Sequence, residues 1–242
     1  VGVLVRYLEE ETETVSTLRY AAYCLGRLGA KEAIEPLLQL LSGKIPPDVR
    51  SEVYWALGRL KSEEALPFLI EGVDHSVESV AIASIQGLGH LGELAASSIP
   101  TLIRHLRDSK KPLMSRSSVA DALVRIAPGD TRVAQTLVDG LGMWVPEEDD
   151  LHRRRVIHVS AMVAIQFVRQ PKVISALIRR LDSEDTEVVQ ASAILLHRLT
   201  GESLGKDASK WMRFWKKRSE SFSFDDNPPF GKSGNSSKQF GE

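Results

Sequence analysis

The motif Cys24-Leu25-Gly26-Arg27-Leu28-Gly29 decides the fold of this chain because it returns, with changes, at two later places. The later copies are Ala56-Leu57-Gly58-Arg59-Leu60-Lys61 and Gly87-Leu88-Gly89-His90-Leu91-Gly92. They follow at steps of 32 and 31 residues. A period of this length is typical of stacked helix pairs, in which each repeat packs only on its neighbours. The repetition therefore predicts a helical array rather than a single globular core.

Each copy of the motif places a large apolar residue directly after a small one. The large residues form the column Leu25, Leu57, Leu88, Leu123, Ile165 and Leu196. The residues before them are Cys24, Ala56, Gly87, Ala122, Ala164 and Leu195, small in every copy but the last. A small residue beside a large one lets a neighbouring helix approach closely. We therefore interpret this column as the first helix of each repeat, and Cys24 as a packing residue.

A second helix follows each first helix. Apolar residues at spacings of 3, 4 and 7 begin near Ile34, Leu66, Ile99, Ala134 and Ile174. Pro67 and Pro100 come early in their helices, where the backbone amide needs no partner within the helix. No segment shows the sustained alternation of a strand. The predicted fold is all-α, an α-solenoid in which about five to six antiparallel helix pairs form a right-handed superhelix.

The two ends of the sequence differ from its middle. Val1 to Tyr7 has the pattern of a second helix, which predicts that the sequence begins inside an array. Residues 207–218 are predicted to form a capping helix, in which Trp211 and Trp215 cover the last hydrophobic edge. Residues 219–242 are rich in Ser, Gly and Asn and contain no Leu, Ile or Val. We therefore expect a repeat domain over 1–218 and a disordered polar tail over 219–242.

The repeats resemble a known family. Ala56-Leu57-Gly58-Arg59-Leu60 and Ala65-Leu66-Pro67-Phe68-Leu69-Ile70 follow the patterns A-[LI]-[GV]-x-[LI] and A-[LI]-P-x-L-[IL] of HEAT repeats. The chain is most similar to the short bacterial form that also occurs in phycobilisome lyases, and the resemblance covers about residues 1–200. It implies an α-solenoid. It implies little about activity, because such repeats serve adaptors, lyases, hydroxylases and nucleic-acid-binding proteins alike.

The sequence carries no motif of an active site. Hydroxylases built from HEAT-like repeats bind iron through His-Glu dipeptides, and this chain contains no such dipeptide. Its histidines form no i, i+4 pair and no HExxH arrangement, so each is expected to lie at the surface. They are His75, His90, His105, His152, His158 and His197. We predict a protein that is not an enzyme and that holds no metal or cofactor.

Charge is distributed unevenly along the chain. Residues 1–150 carry 15 basic and 22 acidic side chains, a net of −7, whereas residues 151–218 carry 14 and 6, a net of +8. In solenoids of the HEAT-like family that this chain resembles, the second helices line the concave face. The repeat register places there the columns Gln39, Glu71, Arg104, Asp139, Arg179 and Glu32, Glu64, Ser97, Arg132, Lys172. Both columns pass from acidic or neutral to basic along the array, which favours steering of a charged partner.

This gradient gives the main functional hypothesis. The concave groove is predicted to bind a protein partner, whose acidic segment lies against the basic end. Arginine suits that task because its planar guanidinium can hold a carboxylate with two hydrogen bonds. The candidate residues are Arg104, Arg132, Lys172, Arg179 and Arg180. The alternative is a solvated polar face without a partner.

Two other surfaces are candidates. Tyr23 and Trp55 occupy equivalent positions in adjacent repeats, near Tyr20 and Tyr54. Clustered aromatic residues mark a protein interface if they are exposed, or packing between repeats if they are not. Trp144 lies in an insertion that ends in an acidic run. Such a loop either binds a partner, or its acidic residues cap the next helix.

Taken together, the pattern predicts a protein–protein interaction scaffold or adaptor without catalytic activity. The alternatives are a bilin-lyase-like or chaperone-like subunit, or a nucleic-acid-binding repeat protein. A pI near 6.7 and an acidic first half disfavour nucleic acid. No apolar run approaches the ~20 residues of a membrane span, so no membrane partner is expected. The lone cysteine, Cys24, suits a reducing compartment and a cytoplasmic location.

Overall fold

The computed structural model describes residues 1–9, 14–108, 110–143 and 170–223. These residues contain α-helices, short 3-10 segments and turns but no strand, so the all-α prediction is confirmed. In chain order the helices are α1 Gly2–Glu9, α2 Val15–Leu28, α3 Ile34–Ser42, α4 Pro47–Arg59, α5 Leu66–Gly72, α6 Glu78–Leu91, α7 Ile99–Arg107, α8 Leu113–Ile126, α9 Thr131–Met143, α10 Pro171–Arg180, α11 Thr186–Thr200 and α12 Ala208–Arg218. Within these residues no helix combines the length and the apolar character needed to cross a membrane.

The helices stack as two rows. The first helices α2, α4, α6 and α8 each pack on the next one in the series. The second helices α7, α9, α10 and α12 do the same on the other side, and α1 packs against α2 and α3. Each repeat therefore contacts mainly the repeats before and after it, as the sequence period predicted. We number the repeats by their helix pairs, so that α2–α3 is the first repeat and α8–α9 the fourth.

The predicted apolar column forms the centre of the array. Leu25, Leu57, Leu88, Leu123 and Leu196 are all fully buried, at 0% exposure. Ile165, the other member of the column, lies outside the described residues. These leucines belong to one continuous cluster of buried apolar residues that runs through the repeats.

Neighbouring first helices approach each other at the predicted small residues. A Cβ atom built on Gly58 would lie 2.4 Å from the Cα atom of Gly87. A Cβ atom on Gly26 would lie 2.8 Å from the Cα atom of Ala56. Contact at such distances is possible only between residues with little or no side chain. The small column therefore sets how far apart the repeats lie.

The second helices start where the sequence indicated. Helices α5 and α7 each hold a proline, Pro67 or Pro100, at one of their first two positions. Helix α10 begins in the same way, at Pro171. These positions tolerate proline because the first-turn amides make no bond within the helix.

Helix α12 covers the side of α10. The indole Nε1 of Trp211 donates to the carbonyl oxygen of Gly205 at 2.8 Å. The indole Nε1 of Trp215 donates to the hydroxyl oxygen of Ser175, on α10, at 2.8 Å. Phe222 packs its ring edge-on to Trp215, with the ring centroids 5.2 Å apart. Residues 224–242, most of the predicted tail, lie outside the described residues.

The contact between Gly58 and Gly87 leads to the first prediction. Gly58→Ala should lower the free energy of unfolding by about 2 kcal/mol, because the added methyl group overlaps backbone that cannot rotate away. The gain in helix propensity from alanine, about 1 kcal/mol, is smaller than this overlap. Urea unfolding followed by circular dichroism measures the change.

Gly129→Ala is the matched control, since a Cβ atom there would meet no atom within 4 Å. It should change the free energy of unfolding by less than about 0.5 kcal/mol. Equal stability of the two variants would contradict the close approach of α4 and α6.

Candidate functional site

The two predicted columns of the second helices lie at the protein surface. We call them together the second-helix surface: Gln39, Glu71, Arg104, Asp139, Arg179, Glu32, Glu64, Ser97, Arg132 and Lys172. All of these residues are exposed except Asp139, which is half-buried. The repeat register therefore identified the solvent-facing side of the second helices, on which a partner could bind.

Arg104 is held by a carboxylate of the preceding repeat. Its guanidinium Nη2 lies 2.8 Å from Oδ2 of Asp74, and 66% of its side chain is exposed. Asp74 follows α5 and also binds the ammonium group of Lys111, at 2.7 Å. Arg104 therefore already has an anionic partner, which weakens its candidacy for binding another protein.

His105 contradicts the expectation that the histidines lie at the surface. Its side chain is only 1% exposed. Its Nδ1 lies 3.2 Å from Oδ1 of Asp74, and its Nε2 lies 3.0 Å from the hydroxyl oxygen of Ser115. These two partners offset the cost of burying the imidazole. The expectation was wrong because both partners come from other repeats.

Asp74, His105 and Ser115 are linked in the same order as the acid, base and nucleophile of a hydrolytic triad. Here, however, the three residues have a structural role. Ser115 is fully buried, so its hydroxyl group faces no solvent-filled cleft. That hydroxyl also lies 2.9 Å from the carbonyl oxygen of Pro112, to which it donates. A nucleophilic serine must reach a substrate carbonyl. We interpret the network as a link between the second, third and fourth repeats.

The ionisation of this network favours the folded state at neutral pH. Burial alone would raise the pKa of Asp74, but hydrogen bonds from Lys111, His105 and Arg104 outweigh it and hold that pKa at about 2. The stability that ionised Asp74 contributes is present above its ordinary pKa and is lost as the pH falls towards the lowered one. Burial also lowers the pKa of His105. Since the unfolded chain then protonates His105 more readily, stability falls further once the pH drops below the ordinary histidine pKa.

Two more candidate arginines are paired within the chain. Arg132 places Nη2 2.6 Å from Oδ2 of Asp130, two residues earlier. Arg180, on α10, donates from Nη2 to the backbone carbonyl oxygen of Asp139, on α9, at 3.0 Å. Its Nη2 also lies 3.6 Å from Oδ1 of Asp139. Arg180 thus joins two neighbouring second helices.

The remaining basic candidates, Lys172 and Arg179, are exposed. Neither forms an ion pair with any residue that the structure describes. Helix α12, which packs on α10, carries two more exposed cations, Lys216 and Lys217, directly after buried Trp215. We call Lys172, Arg179, Lys216 and Lys217 the terminal basic patch.

Tyr23 and Trp55 form a stack between the first and second repeats. Their ring centroids are 5.3 Å apart and their planes differ by 22°. Tyr23 remains 39% exposed and Trp55 is half-buried, so the rings both pack between repeats and reach the surface. Tyr20 is exposed as well, whereas Tyr54 is buried. For Tyr54 the packing alternative holds, because its side chain packs towards Gly72, on the second-helix row.

Trp144 and the acidic run after it lie outside the described residues, so the predictions made for this insertion stay predictions. The contacts that sequence reasoning missed share one signal. Asp74 and Arg104 are 30 residues apart, and Asp139 and Arg180 are 41 residues apart. These separations lie within about three residues of the local repeat length, so a search for opposite charges about one period apart would have found both pairs.

Comparisons with known proteins agree with this architecture. A family model described as HEAT repeats matches residues 3–89. The structure of the complex of CpcE and CpcF of phycocyanin lyase from Nostoc sp. PCC7120 aligns with a TM-score of 0.55 and 19% identity, over 89% of this chain and 93% of that one. An engineered protein aligns with a TM-score of 0.51 and 19% identity, over 80% of this chain and 97% of that one. A search of curated proteins finds no match.

The Asp74 network gives the second prediction. Asp74→Asn should lower the free energy of unfolding at neutral pH by about 1–2 kcal/mol, because buried His105 and two cations lose their anion. The figure is modest because part of the Asp74 carboxylate faces water. The difference from wild type should persist down to about pH 4 and shrink below it, as the wild-type carboxylate protonates. Urea unfolding across this pH range measures it.

Asp121→Asn serves as the control, since the one ion pair that Asp121 forms with a described residue is with Arg125, one turn away, and both side chains are mostly exposed. It should cost less than about 0.5 kcal/mol. An equal loss in both variants would mean that Asp74 acts as an ordinary surface carboxylate.

Proposed function

With HEAT repeats over residues 3–89 and helix pairs stacked along the described chain, we propose that this helical-repeat scaffold binds a protein partner through the terminal basic patch. An acidic segment of the partner lies across α10 and α12 in this proposal. The scaffold itself carries out no reaction. Its role is to hold the partner along the second-helix surface.

The observation that carries the proposal is the difference in pairing along the second-helix surface. Arg104, Arg132 and Arg180 each already contact an aspartate of the chain. Lys172 and Arg179 are exposed and form no such pair with a described residue. A partner carboxylate can bind an unpaired cation without displacing an existing anion, so binding is favoured at the basic end.

The position of α12 enlarges this patch. The bond from Trp215 to Ser175 holds α12 against α10, and the exposed Lys216 and Lys217 add two more cations. Met212 is 53% exposed on the same helix and supplies apolar contact area. An apolar side chain surrounded by charged ones is a common composition for a protein interface.

The similarity to the CpcE and CpcF complex is consistent with a protein partner, since that structure is itself an assembly of two proteins. It also keeps a bilin-lyase-like subunit as the alternative function. Incubation of the purified chain with a bilin, followed by visible absorbance spectroscopy, separates the two. A spectral change that needs this chain would favour the alternative.

The third prediction tests the patch. Lys172→Glu together with Arg179→Glu should weaken partner binding at least about tenfold, because two attractive contacts become repulsive. Wild type and variant are compared by affinity capture from the source lysate, and the binding constant of the captured protein is then measured by calorimetry. Arg180 is left unchanged because its bond to Asp139 supports the fold.

The control carries the same reversal of charge at two exposed loop lysines, Lys44→Glu and Lys206→Glu. It should capture the partner as wild type does. Loss of the partner from both variants would mean that net charge, rather than the patch, governs binding. Capture by both would move the partner away from α10 and α12.

A further inference from the structure

An arginine stacks on an aromatic ring in each of the first two repeats. Arg27 and Arg59 lie four residues after Tyr23 and Trp55, which places each pair on one face of its helix. The guanidinium carbon of Arg27 is 5.9 Å from the ring centroid of Tyr23, and that of Arg59 is 5.5 Å from the ring centroid of Trp55. Both distances are in the range of cation–π contacts.

The rings of neighbouring repeats join into one continuous row. Trp55 stacks on Tyr23 and meets the ring of His90 edge-on, with centroids 6.2 Å apart. The close approach of the helices makes this contact possible, since a Cβ atom on Gly26 would lie only 3.1 Å from the Trp55 ring. We call the following residues the first-helix ladder: Tyr23, Arg27, Trp55, Arg59, His90 and Arg125.

The ladder has more positive charge than its neighbours neutralise. Arg27 donates to the hydroxyl oxygen of Tyr23 at 3.3 Å and has no carboxylate partner in the part of the chain that the structure describes. Arg59 likewise has none there. Arg125, by contrast, forms an ion pair with a described carboxylate. Its Nε lies 3.0 Å from Oδ2 of Asp121.

The pKa of His90 reflects this excess of positive charge. Its pKa is lowered, first by burial and then by the charges of Arg125, Arg59 and Lys61. Lys61 belongs to the same neighbourhood, since its ammonium group donates to the carbonyl oxygen of His90. Cations of the repeats on either side therefore face one half-buried imidazole, and Asp121 offsets part of their effect.

The helix dipole accounts for only part of this arrangement. Arg27, Arg59, His90 and Arg125 all lie in the last turn of their helices, where the dipole favours a cation. The dipole does not require an aromatic ring one turn earlier. A guanidinium at this distance from a ring still has N–H groups that do not bond the ring, and these groups can hold a carboxylate.

The spacing of the ladder indicates the shape of its ligand. Packed helices lie about 8–10 Å apart, so the ladder presents one cation at about this interval. An extended chain advances about 3.3 Å per residue, and side chains three residues apart are therefore about 10 Å apart. We propose that the first-helix ladder binds an extended acidic segment of a protein partner, in which a carboxylate recurs about every third residue.

A protein ligand fits this surface better than a nucleic acid. A phosphate backbone favours a continuous basic track. Here the same helices begin with acidic residues, Asp48 and Glu52 on α4 and Glu78 on α6. Along α4, Glu52 lies between Arg50 and Arg59, so the positive charge does not form a continuous track. The ladder lies on the first helices, apart from the terminal basic patch on α10 and α12, so this proposal does not rest on the proposed function.

The test uses a fluorescein-labelled peptide of repeated Asp-Ser-Gly and the same peptide with Asn in place of Asp. Fluorescence anisotropy with the full chain should show binding of the Asp peptide alone. Arg27→Gln together with Arg59→Gln should weaken that binding about tenfold, since two charge pairs are lost. The control Lys44→Gln with Lys206→Gln removes the same charge elsewhere and should stay within about twofold of wild type.

A second measurement tests whether the peptide binds next to the aromatic rings of the ladder. Binding should change the tryptophan emission of wild type, and the change should be absent in Trp55→Phe, which keeps an aromatic ring in the stack. Circular dichroism confirms that each variant is folded. The Lys172→Glu, Arg179→Glu variant should bind the Asp peptide as wild type does.

Three results would overturn the proposal. Equal loss of binding in the Lys44, Lys206 control would mean non-specific attraction. Loss in the Lys172, Arg179 variant alone would place the peptide on the terminal basic patch. Labelled oligothymidine could bind more tightly than the Asp peptide and lose that binding in the Arg27→Gln, Arg59→Gln variant. This result would identify the ligand of the ladder as a nucleic acid.

Discussion

The backbone contact between Gly58 and Gly87 is the constraint on which the rest of this structure depends. Because neither residue has a side chain, the backbones of α4 and α6 approach each other too closely for a Cβ atom on Gly58. This close approach allows the rings of Trp55 and His90 to meet, and Leu57 and Leu88, next to the two glycines, are fully buried. A larger residue in the small column would separate the leucines and the rings together, so the core and the exposed ladder have one geometric origin.

Charge acts in two ways along this array. Where an acidic and a basic residue lie one repeat apart, as Asp74 and Arg104 do, they bind each other and join the repeats. Where a basic residue faces no carboxylate of a described neighbour, as at Arg59 and Arg179, it remains exposed for another molecule. Net charge along the sequence does not distinguish these cases. The pairing of individual side chains does, and among the basic candidates it separates Lys172 and Arg179 from Arg104, Arg132 and Arg180, which already contact an aspartate.

The periodic part of this protein could be predicted from its sequence, because the leucine column and the prolines of the second helices recur at a fixed interval. The column also identified Tyr23 and Trp55 as neighbours. Burial of His105 could not be predicted in the same way. It depends on Asp74 and Ser115, which lie 31 and 10 residues away, and no period predicts both contacts. Stacking of Arg27 and Arg59 on the rings needed only the four-residue spacing within a helix, a signal that the sequence does contain.

The bonds of Asp74 have a mechanical consequence. A stacked array bends at the joints between its repeats, and the resistance of each joint depends on the side-chain contacts between the two repeats. Between the second and third repeats a single carboxylate holds Arg104, His105 and Lys111. Between the first and second repeats the contacts are mainly apolar and aromatic. We therefore expect the second joint to resist bending more than the first, and we expect acid, which protonates Asp74, to make that second joint easier to bend.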